Sequence, residues 1–135
     1  ILSGCSKAEI RKQIDQTNSE LRKVIGKKTI ITRPPGGNHN KTTDSIIKTP
    51  IVLWSVDTLD WKNRNSAYVT NAVLKNVKDG DIVLMHDLYE STADASKKII
   101  PALVKRGYQL VTVSELSDCR KAMKNGETYS SFPLK

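Results

Sequence analysis

The chain has 135 residues, enough for one domain or part of one and enough to bury a core. Its hydrophobic share of 38% is below the usual level for a globular domain, which fits either a soluble protein with a lean core or a piece of a larger core. A formal net charge of +8 favours polyanions such as nucleic acid, anionic cell-wall polymer or membrane. No basic run is interleaved with aromatics, so nucleic acid is not expected as a partner, and no stretch is long and apolar enough to span a membrane.

Most of the excess positive charge falls in residues 1–50, where Lys7, Arg11, Lys12, Arg22 and Lys23 read as a solvated helix face. Cys5 and Cys119 have no zinc-type spacing; they form a disulfide if the protein is exported, or are two free thiols. No signal peptide is evident. The chain begins at Ile1 without Met, and its start is expected to be a processed or cut end.

In chain order, helix and strand alternate. Ser6 and Glu9 fit a capping box, and Ile10, Ile14, Leu21, Val24 and Ile25 recur at helical spacing until Gly26. Thr29–Thr32 reads as a short β-branched strand, followed by a short helix near Thr43–Lys48 closed by Pro50. Ile51–Val56 reads as a buried strand. A helix over about Ser66–Val77 puts Val69, Val73 and Val77 on one face. Residues 78–81 turn into a strand that ends at His86. A further helix runs from about Thr92 to Arg106, with Pro101 predicting a kink or break. Tyr108–Val113 reads as the last strand, and the tail beyond Leu116 as loop. Short apolar strands separated by helices predict an α/β fold with a parallel sheet covered by helices.

Three of these strands end in chemistry-bearing residues: Arg33-Pro34-Pro35-Gly36-Gly37, Asp57-Thr58-Leu59-Asp60-Trp61, and His86-Asp87. In a barrel of parallel strands, such ends share one face, where sites form. His86 beside Asp60 would form an acid–base pair, because an ionised carboxylate favours imidazolium and raises the His pKa. A buried His bonded to a backbone carbonyl is the bland alternative. Arg33, fixed by two prolines, suits a two-point clamp on a carboxylate, or a structural salt bridge. Gly36 and Gly37 allow close backbone approach, but no Lys-Ser/Thr follows, which rules out a phosphate loop. Trp61 reads as a pocket wall or as core packing. Asp57 and Asp87 read as caps or loop anchors, and His39 as exposed and inert.

Together these residues resemble the NodB-homology polysaccharide deacetylases, the family 4 carbohydrate esterases. Residues 33–37 look like the third of the family's ordered motifs, residues 57–61 the fourth (Asp-x-x-Asp-Trp) and residues 82–87 the fifth. Residues 99–116 look like the end of such a domain. The first motif, Thr-Phe-Asp-Asp-Gly, and the second, His-Ser/Thr-x-x-His, are absent. The resemblance therefore implies that residues 1–135 are the C-terminal part of a single deacetylase domain, an α/β distorted (β/α) barrel with parallel strands whose N-terminal strands are missing from this chain. Gly36 stands where many relatives have an aromatic.

The resemblance implies metal-assisted hydrolysis of N-acetyl groups on N-acetylglucosamine units, with bacterial peptidoglycan the expected polymer and chitin or acetylated xylan the alternatives. It gives His86 the role of acid toward the departing amine, with Asp60 orienting it and Arg33 orienting a base outside the chain. Gly36 would supply an oxyanion N–H, and Trp61 and Leu84 would line the acetyl pocket. No metal ligand is expected within the chain. The divalent ion, zinc above others, would be held by residues outside it, on a companion N-terminal polypeptide. The location implied is the cell surface or wall. Without such a companion, the chain would be a non-catalytic carbohydrate-binding fragment. A metal site built from His39, His86 and nearby Asp residues is disfavoured by the loop position of His39.

Overall fold

The computed structural model describes residues 2–134, which form two compact units.

The first unit comprises residues 2–53 with Met123–Tyr129. Helix α1, Lys7–Ile25, starts where the sequence predicts. Ser6 Oγ accepts the Glu9 N–H at 3.3 Å and Glu9 returns a bond to the Ser6 N–H at 3.0 Å, satisfying donors that a helix start leaves open. Gly26 ends it in the left-handed region, donating to Arg22 O. Of the apolar stripe only Ile10 is fully buried, and Val24 and Ile25 are exposed. Helix α2, Lys41–Ile46, is capped by Asn40 and buries Thr43 and Ile46. Strand β1, Ile51–Val52, pairs in parallel with β4, Thr128–Tyr129.

Two expectations change here. Thr29–Thr32 is not a strand; only Thr32 forms a bridge, to Ile51. The tail beyond Leu116 is not all loop. Buried Tyr129 anchors β4, and its hydroxyl bonds Glu127.

The second unit comprises Trp54–Ala122 with residues 130–134. The single predicted strand over Ile51–Val56 is split: β1 ends at Val52, and β2 is Val56–Asp57. Strand β2 pairs in parallel with β3, Val83–Leu84, with Val56 opposite Val83 and Asp57 opposite Leu84. Both pairings are parallel, as the alternating pattern predicts.

Helix α3, Asp60–Asn63, follows β2 directly, and α4, Ser66–Asn76, is capped by Asn65. Helix α5, Glu90–Lys105, packs on α4 through a core of Val69, Val73, Ala95, Ile99 and Leu103, each at most 3% exposed. Each such side chain contributes roughly 1.5–3 kcal/mol on burial. Pro101 does not break α5. It sits on the solvent side, loses one intrahelical donor, and leaves the apolar face at 95, 99 and 103 intact.

Tyr108–Val113 is not a strand either. Thr112 and Glu115 form a capping box that starts α6, Val113–Arg120, and takes the end of the β-branched run into a helix start. At the other end of the unit, Gly80 and Phe132 meet closely. The Phe132 N–H donates to Gly80 O at 2.7 Å, and Gly80 holds φ +85.

Candidate active site

Parallel pairing of β2 and β3 sends both chains out of the sheet at the same end, one toward Asp60 and the other toward His86. Thr58, fully buried, reinforces this junction by donating its hydroxyl to Leu84 O at 2.8 Å. Leu59 then takes a left-handed backbone, φ 51 and ψ 31, that turns the chain into α3, and Asp57 anchors the turn by accepting the Leu59 N–H at 2.9 Å. A non-glycine residue in this region carries strain of about 1 kcal/mol or more, which the surrounding bonds hold in place.

The result is a buried, fully engaged carboxylate. Asp60 is 0% exposed. Its Oδ1 accepts the Trp61 N–H at 2.9 Å and the His86 Nδ1 proton at 2.8 Å. Its Oδ2 accepts the His86 N–H at 2.7 Å and the Thr92 hydroxyl at 2.9 Å. Burial pushes the Asp60 carboxyl up, but the bonds from the His86 ring, the His86 backbone and Thr92 outweigh it, and the carboxyl lies below its ordinary value. An ionised Asp60 accepts only, so His86 Nδ1 is the donor and Nε2 is the nitrogen left for chemistry. The His86 side chain is 29% exposed, accessible to a substrate yet held.

Around this pair stand groups that the motif reading did not single out. The Tyr89 ring meets the His86 ring edge-on at 6.5 Å between centroids. The Arg64 guanidinium lies over Tyr89, 4.8 Å from its centroid. Thr92, Tyr89 and Arg64 escape a linear reading because nothing in their local sequence marks them; a Thr in the first turn after the His-Asp pair is the faint available signal.

Trp61 is 49% exposed, so it is not part of the core among the described residues. Leu84 is 7% exposed. Asp60, His86, Trp61 and Leu84 all belong to the second unit, whereas Arg33 and Gly36 belong to the first. There Arg33 lines a groove of about 280 Å³ with Ile14, Leu21 and Ile31. Gly36 holds φ +63, a region that strains L side chains, and a Cβ there would come 3.0 Å from Asn38 Nδ2.

His39 differs from expectation. Its side chain is 21% exposed, and Nδ1 contacts the Asp44 carboxylate at 2.9 Å. The loop folds it against the first turn of α2 instead of leaving it in solvent. Among the described residues no group of three or more His, Cys, Asp or Glu side chains is placed to hold a metal ion. The donor set present here therefore does not fit a divalent metal.

Residues 1–50 match the family model of polysaccharide deacetylase. The solved family 4 acetyl xylan esterase of Clostridium thermocellum, in complex with a cobalt ion, superposes with a TM-score of 0.89 at 30% identity, covering 98% of this chain and 67% of that one. The chain belongs to the polysaccharide deacetylase family. Two further deacetylase relatives are similar in sequence. The peptidoglycan-N-acetylmuramic acid deacetylase PdaC of Bacillus subtilis is 40% identical over 121 residues, 90% of this chain and 26% of that protein. The peptidoglycan-N-acetylglucosamine deacetylase PgdA of Listeria monocytogenes is 41% identical over 115 residues, 85% of this chain and 25% of that protein. The chain thus spans about a quarter of the length of these two polysaccharide deacetylases.

Proposed function

We propose that residues 1–135 are the C-terminal portion of one polysaccharide deacetylase domain, part of a distorted (β/α) barrel, which hydrolyses N-acetyl groups on N-acetylglucosamine units of bacterial peptidoglycan at the cell surface. The observation that carries this reading is the Asp60–His86 pair: an ionised, buried carboxylate bonded to Nδ1, leaving Nε2 free to face a substrate. The similarity to two peptidoglycan deacetylases supports the polymer, and PgdA the sugar.

In this mechanism His86 protonates the leaving amine. The Nε2–H bond breaks as the amine N–H bond forms, and the C–N bond of the acetamide opens. Asp60 stabilises the imidazolium before transfer and keeps the ring oriented after it. Trp61 and Leu84 wall the acetyl group; the roles of Arg33, orienting the base that takes a proton from water, and of the Gly36 N–H, receiving the developing oxyanion, rest on the family resemblance alone.

The base and the ligands of a divalent ion, zinc in this reading, lie outside residues 1–135, on a companion polypeptide that carries Thr-Phe-Asp-Asp-Gly and His-Ser/Thr-x-x-His. Neither motif occurs within residues 1–135. The test is acetate release from N-acetylglucosamine oligomers by the chain alone and with such a polypeptide added. Release only with the addition supports the proposal. No release with either, while oligomers still bind, replaces it with a carbohydrate-binding role.

A further inference from the structure

We propose that Arg64 recognises a carboxylate on the saccharide beside the acetyl group that His86 serves; this rests on the deacetylase reading above. Arg64 closes α3 in the left-handed region at φ 45 and ψ 39, a position that glycine fills without strain. Its N–H donates to Asp60 O at 2.9 Å, so its backbone is tied to the residue that orients His86. The Arg64 side chain lies against Tyr89. Its guanidinium stacks 4.8 Å from the Tyr89 centroid, and the Tyr89 ring stands edge-on to His86. One aromatic ring thus holds the cation beside the proposed acid.

Arg64 is exposed, and among the described residues it makes no ion pair with an acid. The acid closest to it in the fold of α3, Asp60, is fully buried and engaged by other donors. The guanidinium fork is therefore available to an incoming acid, and stacking pre-orients it at little entropic cost. The half-exposed Trp61 on the same short helix offers a plane for the sugar ring. A cation, an aromatic plane and an imidazole on neighbouring elements suit a saccharide that bears a carboxylate better than a neutral one.

The test compares a tetrasaccharide of N-acetylglucosamine with one in which alternate sugars carry a lactyl ether carboxylate. Equilibrium binding and acetate release are measured, with the polypeptide that supplies the base and the metal ligands present, for the unsubstituted protein, Arg64→Gln, Arg64→Lys and Arg64→Gly. Arg64→Gln is expected to weaken binding of the acidic tetrasaccharide by roughly five-fold, the upper end for an exposed ion pair, and to leave the neutral one unchanged. Arg64→Lys should fall between, since it keeps the charge without the fork. Arg64→Gly suits the backbone, so the same selective loss there separates recognition from folding. Equal loss on both sugars, or no loss on the acidic one, overturns the inference. Selective weakening without acetate release from either sugar keeps the Arg64 inference and sinks the deacetylase reading; acetate release with no Arg64 effect does the reverse.

Discussion

Asp60 and His86 are joined twice: one carboxylate oxygen accepts the His86 ring Nδ1 proton at 2.8 Å, and the other accepts the His86 backbone N–H at 2.7 Å. The double link fixes both the ring and the strand end that carries it. Asp60→Asn keeps the size but loses the charge and places an amide donor against donors. Turnover is expected to fall by about 10²–10⁴-fold with KM little changed, and stability to fall by about 1–3 kcal/mol. Steady-state kinetics and urea melts check both.

Thr92 reaches the same carboxylate from α5, with its hydroxyl buried. Thr92→Ala removes one donor and leaves a small void. The expected cost is about 1 kcal/mol in stability and a several-fold drop in turnover at neutral pH. Thr92→Ser should restore turnover more than stability, because it returns the hydroxyl without the methyl. A Ser variant as slow as Ala would contradict the role of the hydroxyl.

The lowered Asp60 carboxyl gives a signed pH dependence. Its folded pKa lies below its unfolded value, so the unfolded state binds the proton more readily. The stabilisation is complete above the unfolded pKa, near 4, and disappears as pH falls through the folded pKa. Urea midpoints followed downward from pH 6 should decline more steeply for the unsubstituted protein than for Asp60→Asn. Parallel curves would show that Asp60 is not the group responsible.

At Gly80, an added Cβ would overlap the Phe132 carbonyl, and φ +85 is disfavoured for any L side chain. Gly80→Ala should cost at least about 2 kcal/mol, read as a lower Tm. The backbone bond from Phe132 to Gly80 is part of what would be lost.

The pair at the centre of the site was legible because each member closes a strand and sits in a compact motif: Asp-x-x-Asp-Trp in one case, an apolar run into His-Asp in the other. The supporting shell was not. Thr92 lies 32 residues from Asp60, and inside a polar helix start it looks like any solvent-facing Thr. Tyr89 lies three residues past His86, but Arg64 comes over the Tyr89 ring from a distant stretch of sequence, at the end of a short helix flanked by two left-handed residues, Leu59 and Arg64, which no propensity predicts. Tyr108–Val113 misled because its β-branched end, Thr112 and Val113, belongs to a helix start set by the Thr112–Glu115 capping box. Strand β4 escaped notice because two residues, Thr128 and Tyr129, carry no period.

The central claim is that His86, held by Asp60, delivers the proton to the leaving amine. The most direct test measures acetate release from N-acetylglucosamine oligomers by the whole protein containing this chain, with His86→Ala against the unsubstituted form. The account predicts a loss in kcat of about 10²–10⁴-fold with little change in KM. Unchanged kcat in a folded His86→Ala variant would contradict it.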